Sequence, residues 1–421
     1  MTEKTTPTQQ PGTLWTRDFT IITVGSVVSM LGNALSGFAM DLMVLDYTGS
    51  TLLFAVYSML YMLPNALAPV LIGPFLDRFS RKKTIYTLDF ITAGLFAVLA
   101  AILLLGKFSF WILGVSNFML GAIGGIYYVA YDSFYPLLIS EGNFQKAYSI
   151  SSTLETLSMV MIPLSVLTYN FFGMVPLFLI NAVTFLAAAI METQIRAGEN
   201  YIALQKEKGG DKAGVRRFTA DFREGMGYLF SEKGLLAIAL YFFFSCFTGG
   251  VTGVVTLPYF RNTFENGEFV YMIVWGMSSL ARFIGGLVHY HVKLPVRAKF
   301  GIAMMVYITI SFLEGSYLFF PVWVMMGMTF LSGILGVTSY TIRISATQKY
   351  VPDEKKGRFN GVFGTLNTTG VLIGQAVAGA LSVYINERMI VVLANTVCVI
   401  AAIIFIGGGS REVAKIYNTE N

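Results

Sequence analysis

The chain has 421 residues, 55 % of them hydrophobic and 13 % charged, with a mean hydropathy of +0.65 and a formal net charge of +5. Soluble domains carry roughly a quarter charged residues, so a water-soluble globule is excluded: it would leave far too much apolar surface in water. The remaining class is a chain dissolved in lipid, where each crossing takes about 20 mostly apolar residues.

The first 14 residues are polar and hold no apolar run, so no cleavable signal peptide is expected and the first span would itself start insertion. Apolar runs then follow at roughly 19–45, 50–76, 84–105, 109–138, 148–170, 175–194, 234–258, 269–288, 299–319, 321–346, 360–384 and 389–409. They predict an all-α membrane protein of twelve transmembrane helices. None shows the two-residue alternation of a barrel strand, and the longest imply tilt or extension beyond the bilayer. Cys246 and Cys398 fall inside spans, where small buried core residues are expected rather than a disulfide. With only His289 and His291 to add, no metal site is expected.

Lys and Arg set the orientation. With both termini in the cytosol, 24 of the 29 lie on cytosolic segments. Lys107, Arg261 and Arg388 lie outside, and Arg282 and Arg343 lie within spans. This is a strong positive-inside bias. It assigns the basic charge to lipid head groups rather than to nucleic acid.

One long polar stretch, from about Gln194 to Lys233, interrupts the spans. It divides the chain into an N-terminal six-helix bundle (1–195), a cytosolic linker with an amphipathic helix (196–233) and a C-terminal six-helix bundle (234–421). In the linker Phe218, Phe222, Met226, Leu229 and Phe230 share a helical face, the pattern of a helix lying on the membrane surface or packed against protein. The halves repeat at an offset of 212 residues: Gly73 with Gly285, Gly121 with Gly333, Gly124 with Gly336, Ser133 with Ser345 and Lys146 with Arg358. Paired repeats of this kind build a substrate site near the membrane midplane.

The loop after span 2 reads Gly73-Pro-Phe-Leu-Asp77-Arg78-Phe-Ser-Arg81-Lys82-Lys83. It resembles the signature of the major facilitator superfamily, with Phe75 and Ser80 in place of the usual leucine and second glycine. The resemblance implies the two-half major facilitator fold and transport by alternating access. It also implies a cytosolic latch in which Gly73, Asp77, Arg78 and Arg81 meet the start of span 11 at Gly357 and Arg358, with Asp132 joining the charge cluster. In the second half, Gly285-Gly-Leu-Val-His289 has lost the acid, and His289 is expected to be a neutral histidine. Ser29, Gly32 and Asn33 in span 1, Tyr47-Thr-Gly-Ser50, Leu63-Pro64, Asp89 and the loop Val351-Pro352-x-Glu354-x-x-Gly357-Arg358 are similar to the drug:proton antiporter branch that includes macrolide efflux proteins. Span 5 departs from that branch, keeping Pro163 without flanking glycines.

A charge at the bilayer centre costs about 2.5–3.5 kcal/mol on insertion scales, so each one needs a partner or a water-filled cavity. Asp132, about 9 Å from the cytosolic boundary at 1.5 Å per residue, is within reach of Arg78 or Arg81. Asp41, Glu155 and Asp89 are the candidates for proton or substrate coupling, because a carboxyl facing a partly apolar cavity exchanges protons near neutral pH. Arg343, in span 10, is expected to pair across the halves. Glu314, in span 9, is expected to be structural. Asn33, Tyr127, Tyr128 and Tyr131 are candidates for the substrate cavity, since aromatic rings stack on lipophilic or cationic molecules.

No nucleophile–base set or phosphate loop is evident, and the aqueous segments are too short for a catalytic domain. The resemblance to the drug:proton antiporter branch implies a proton-coupled exporter of amphipathic small molecules, expected to act as a monomer in the plasma membrane among its lipids and without a cofactor. Import, transport of a lipid or metabolite, and a non-transporting scaffold are the alternatives.

Overall fold

In hydrocarbon a backbone N–H or C=O finds no water, so an apolar run must close its hydrogen bonds within one helix. The computed structural model follows this rule. It describes residues 13–76, 79–107, 109–140, 163–198, 214–291 and 294–418, together with 143, 146–147, 150 and 161, and leaves undescribed the side chains of 70–76, 214–219, 221 and 290–291. The helices are α1 Arg17–Thr48, α2 Thr51–Leu76, α3 Arg81–Leu104 and α4 Phe110–Phe134, then α5, described over 163–172, and α6 Met174–Glu192. They continue as α7 Gly214–Ser231, α8 Lys233–Thr263, α9 Gly267–His291, α10 Lys299–Ser316, α11 Val322–Tyr350, α12 Asp353–Leu381, α13 Glu387–Ala401 and α14 Ser410–Tyr417.

Local chemistry sets several boundaries. Ser80 caps α3, its hydroxyl accepting from the Lys83 N–H at 3.1 Å. Asn386 caps α13 in the same way through Arg388 N–H, at 2.9 Å. Gly49 and Gly173 take positive φ in the turns before α2 and α6, where a side chain would be strained. Among the described residues, ten helices are long and apolar enough to cross a membrane. α5 is not one of them, nor is α12, whose 29 residues include Thr365, Asn367, Thr368, Thr369 and Gln375.

The chain packs as two compact units. One comprises the residues up to Met43 with Leu63–Gly214, and the other comprises Val44–Met62 with Val215 onward. In the first unit α3 lies along α6. The buried stripe of α3 runs Ile85, Leu88, Asp89, Thr92, Ala93, Phe96, Leu99 and Ala100. That of α6 runs Leu177, Phe178, Asn181, Ala182, Phe185, Ala188, Ala189 and Glu192. Both have the three- and four-residue spacing of one helical face. Phe96 joins them, 5.9 Å from the Phe178 ring and 6.1 Å from Phe185. Small residues admit close neighbours: a Cβ on Gly32 of α1 would fall 2.4 Å from Thr184 Oγ1, and one on Gly125 of α4 would fall 2.5 Å from the Asn65 carbonyl.

The second unit is sewn along α8 and α12. A Cβ on Gly250, Gly370 or Gly374 would fall 2.2, 2.5 or 2.1 Å from a backbone carbonyl of the facing helix. Gly333 of α11 approaches α9 in the same manner, 2.5 Å from the Ser278 carbonyl. Tyr241 stacks on Tyr307 at 4.2 Å, and the Tyr307 hydroxyl meets that of Tyr417 at 2.8 Å, which ties α14 into the core. The linker helix α7 turns Phe222, Met226 and Leu229 onto this core and leaves Phe230 61 % exposed. Among its described side chains the apolar face therefore serves protein packing, with Phe230 left over; Phe218 lies outside the described side chains. The reason is Gly225, where a Cβ would sit 2.9 Å from the Arg358 carbonyl: the absent side chain lets α7 press against α12.

Candidate functional site

The first unit buries two acids together. Asp89, nine residues into α3, is 1 % exposed, and Glu192, the last residue of α6, is 0 % exposed. Each occupies a position that the stripe spacing reserves for an apolar side chain. Their carboxyl groups come within hydrogen-bonding reach of each other. Asp89 Oδ2 and both Glu192 oxygens otherwise have no donor among the described residues.

Two further helices, α1 and α4, border the pair. From α1, Gly25 leaves room for Glu192, whose Oε1 would lie 3.2 Å from a Cβ placed there. Ser26, next in α1, and Tyr127 of α4 approach each other beside the pair, although the Ser26 hydroxyl makes no hydrogen bond of good geometry. The Thr23 hydroxyl is also buried and unbonded. Near the N-terminus of α3 and the C-terminus of α6, Lys82 Nζ donates to the Ile195 carbonyl at 3.0 Å, and the Arg196 N–H donates to Asp18 at 3.2 Å. Further along α1, Asn181 donates to Ser36 Oγ at 2.6 Å.

The tyrosines of α4 divide. Tyr127, Tyr131 and Tyr135 form a stacked ladder with centroids 5.8 and 5.2 Å apart, whereas Tyr128 lies off it, 68 % exposed. Asn33 is exposed on α1, and Asp41 is half-buried between the core residues Met40 and Leu42.

The latch residues are only partly visible. Asp77 and Arg78 lie outside the described residues, as does Glu155, and Gly73 is described only as backbone within α2. Arg81 Nη1 donates to the Ser133 carbonyl at 3.0 Å, next to the exposed Asp132. Gly357 is exposed in the first turn of α12, with no atom within 4 Å of where its Cβ would be. Arg358 is paired with Glu224 of α7, Nη1 to Oε1, at 2.6 Å. Outside the spans, Lys356 beside Asp353 holds that exposed carboxyl below its ordinary value.

Arg343 has an unexpected partner set. Its guanidinium lies over Phe242 and Phe363, each at 5.0 Å, and Tyr340 at 5.3 Å. An aromatic cage inside its own unit receives the cation, by attraction to the ring faces. His289 Nε2 meets Thr338 Oγ1 at 2.8 Å. Glu314, half-buried, accepts from Ser332 Oγ at 2.6 Å.

Sequence reasoning missed Glu192, because its position at the end of a span resembled the boundary of the polar linker. The signal was the spacing 178, 181/182, 185, 188/189, 192, which carries the core stripe through the acid.

Comparison with known proteins places this geometry in context. The model of the Major Facilitator Superfamily matches residues 22–316. Macrolide efflux protein A of Streptococcus pyogenes is 24 % identical over 408 residues, covering 93 % of this chain and 95 % of that protein. The structure of a bacterial metal transporter superposes with a TM-score of 0.66 at 14 % identity, covering 95 % of this chain and 100 % of that one. The crystal structure of the nucleoside transporter NupG gives 0.65 at 14 % identity, covering 92 % and 98 %. At such identity the two structures establish a shared fold. The apolar helices, the signature loop after α2 and the family match over most of its length agree: the chain is a multi-pass membrane transporter, not an enzyme, and it belongs to the Major Facilitator Superfamily.

Proposed function

We propose that the chain is a secondary active exporter of amphipathic or lipophilic small molecules, of the macrolide or multidrug kind, working by alternating access in exchange for protons. The observation that carries the efflux reading is the likeness to a macrolide efflux protein over nearly the full length of both chains. Coupling to protons is supported by acids inside the spans: Asp89 is fully buried and Asp41 half-buried, and Glu155 stands with them in the sequence. The stacked Tyr127 and Tyr131 offer flat π surface to such substrates, with Asn33 and Tyr128 as further cavity candidates.

The chain crosses the membrane twelve times in two six-helix halves, with α5 and α12 added to the ten apolar helices. Both termini face the cytosol, on the strength of the Lys and Arg distribution, and the protein acts as a monomer in the plasma membrane. A cytosolic latch of Gly73, Asp77, Arg78, Arg81, Asp132, Gly357 and Arg358 gates the cycle, and Arg343 contributes positive charge within the spans. The test is accumulation of a labelled macrolide by cells expressing the protein. Expression lowers accumulation and a protonophore restores it. Unchanged accumulation of macrolides and of lipophilic cations alike removes the efflux reading.

A further inference from the structure

We propose that Asp89 and Glu192 together hold one exchangeable proton, making this carboxyl pair the proton-binding site of the coupled cycle. The inference rests on the proposed proton-coupled exchange and assigns its ion to a place.

Two carboxyl groups face each other with almost no exposure, and three of their four oxygens find no other donor among the described residues. Two anions in contact, stripped of water, repel strongly, and each alone is costly to bury. One proton resolves both problems, because the protonated carboxyl becomes the donor and its partner the acceptor.

Among the described residues the surroundings supply no competing cation. α1 presents Gly25, Ser26 and Thr23, and α4 presents Tyr127 and, behind it, Tyr131. On α3 itself Lys82 lies two turns before Asp89, and its ammonium bonds the Ile195 carbonyl. Past α6 the Arg196 N–H bonds Asp18. No Lys or Arg among the described residues pairs with either acid.

The pair therefore carries one negative charge when protonated and two after the proton leaves to water. Release replaces the one polar attraction joining α3 and α6 at this level by a repulsion. That is a direct link between proton loss and the packing of two long helices. Among the described residues the neighbourhood is uncharged, which gives the device its leverage.

The test uses the full-length protein in detergent without substrate. Infrared difference spectra recorded as pH is raised should show wild type losing one protonated-carboxyl C=O band. Asp89→Asn and Glu192→Gln should each shift or remove that band, because the remaining carboxyl loses its partner, and Glu314→Gln should keep it. Either pair variant suffices if the other elutes as aggregate. A band unchanged in a folded pair variant overturns the proposal. In proteoliposomes, wild type should accumulate substrate against a gradient under an imposed pH difference. Glu192→Gln should keep substrate exchange at equal pH and lose the pH-driven accumulation. Coupling intact in Glu192→Gln, or wild-type transport driven by a sodium gradient and not by pH, refutes the pair as the proton site. Wild type that loses the band but moves no proton with substrate refutes the exporter reading instead.

Discussion

Replacing the pair by hydrocarbon, Asp89→Val with Glu192→Leu, should make the protein more stable and abolish its pH-driven accumulation of substrate. Both side chains lie in apolar stripes between α3 and α6, at 1 % and 0 % exposure. Exchanging a buried ionic group for well-packed apolar residues of similar volume is often stabilising, by about 1–4 kcal/mol, whereas each unsatisfied buried polar atom costs about 1–3 kcal/mol. Three such oxygens are present here, partly relieved by the contact between the carboxyls. The expected gain is therefore about 1–4 kcal/mol, read as a rise in melting temperature. Cys398, 3 % exposed, gives the assay, since a thiol-reactive dye labels it as the protein unfolds. A lower melting temperature with transport intact would show that the acids are structural ties and that the proton argument is wrong.

Other expectations are independent of the pair. Gly374→Val should destabilise by about 1–3 kcal/mol through overpacking, because its Cβ would lie 2.1 Å from the Phe247 carbonyl. Gly364→Ala on the same helix meets nothing within 4 Å and should leave the same melting curve unlowered. Arg343→Lys should cost about 0.5–2 kcal/mol in the melting assay, since an ammonium cannot reproduce a planar guanidinium laid over three rings. Glu224→Gln removes a pair that is 56 % and 37 % exposed, so its melting shift should stay under about 1 kcal/mol. Asp77→Asn should slow transport in proteoliposomes more than it weakens substrate binding, and an unchanged rate would remove the latch role.

Much of the fold was legible because lipid allows few solutions. Apolar runs at 84–105 and 175–194 became α3 Arg81–Leu104 and α6 Met174–Glu192, within a few residues at each end. What the sequence hid was tertiary. Arg343 gives no sign in one dimension that Phe242 and Phe363, about a hundred residues before it and twenty after, will close over it. The apolar face of α7 reads equally well as a membrane or a protein contact, and the backbone approach at Gly225 decides between them. Asp89 was recognisable as a span acid, but its partner needed the register of two helices. Arg358, marked by its motif, is engaged by Glu224, whose place in the linker gave it no distinguishing pattern.

The most direct test of the central claim is transport of a macrolide by the purified wild-type protein in proteoliposomes, with the pH difference imposed first in one direction and then in the other. Proton-coupled exchange predicts uphill substrate movement that reverses with the pH gradient, accompanied by counterflow of protons. Substrate movement indifferent to both directions of the gradient would contradict it.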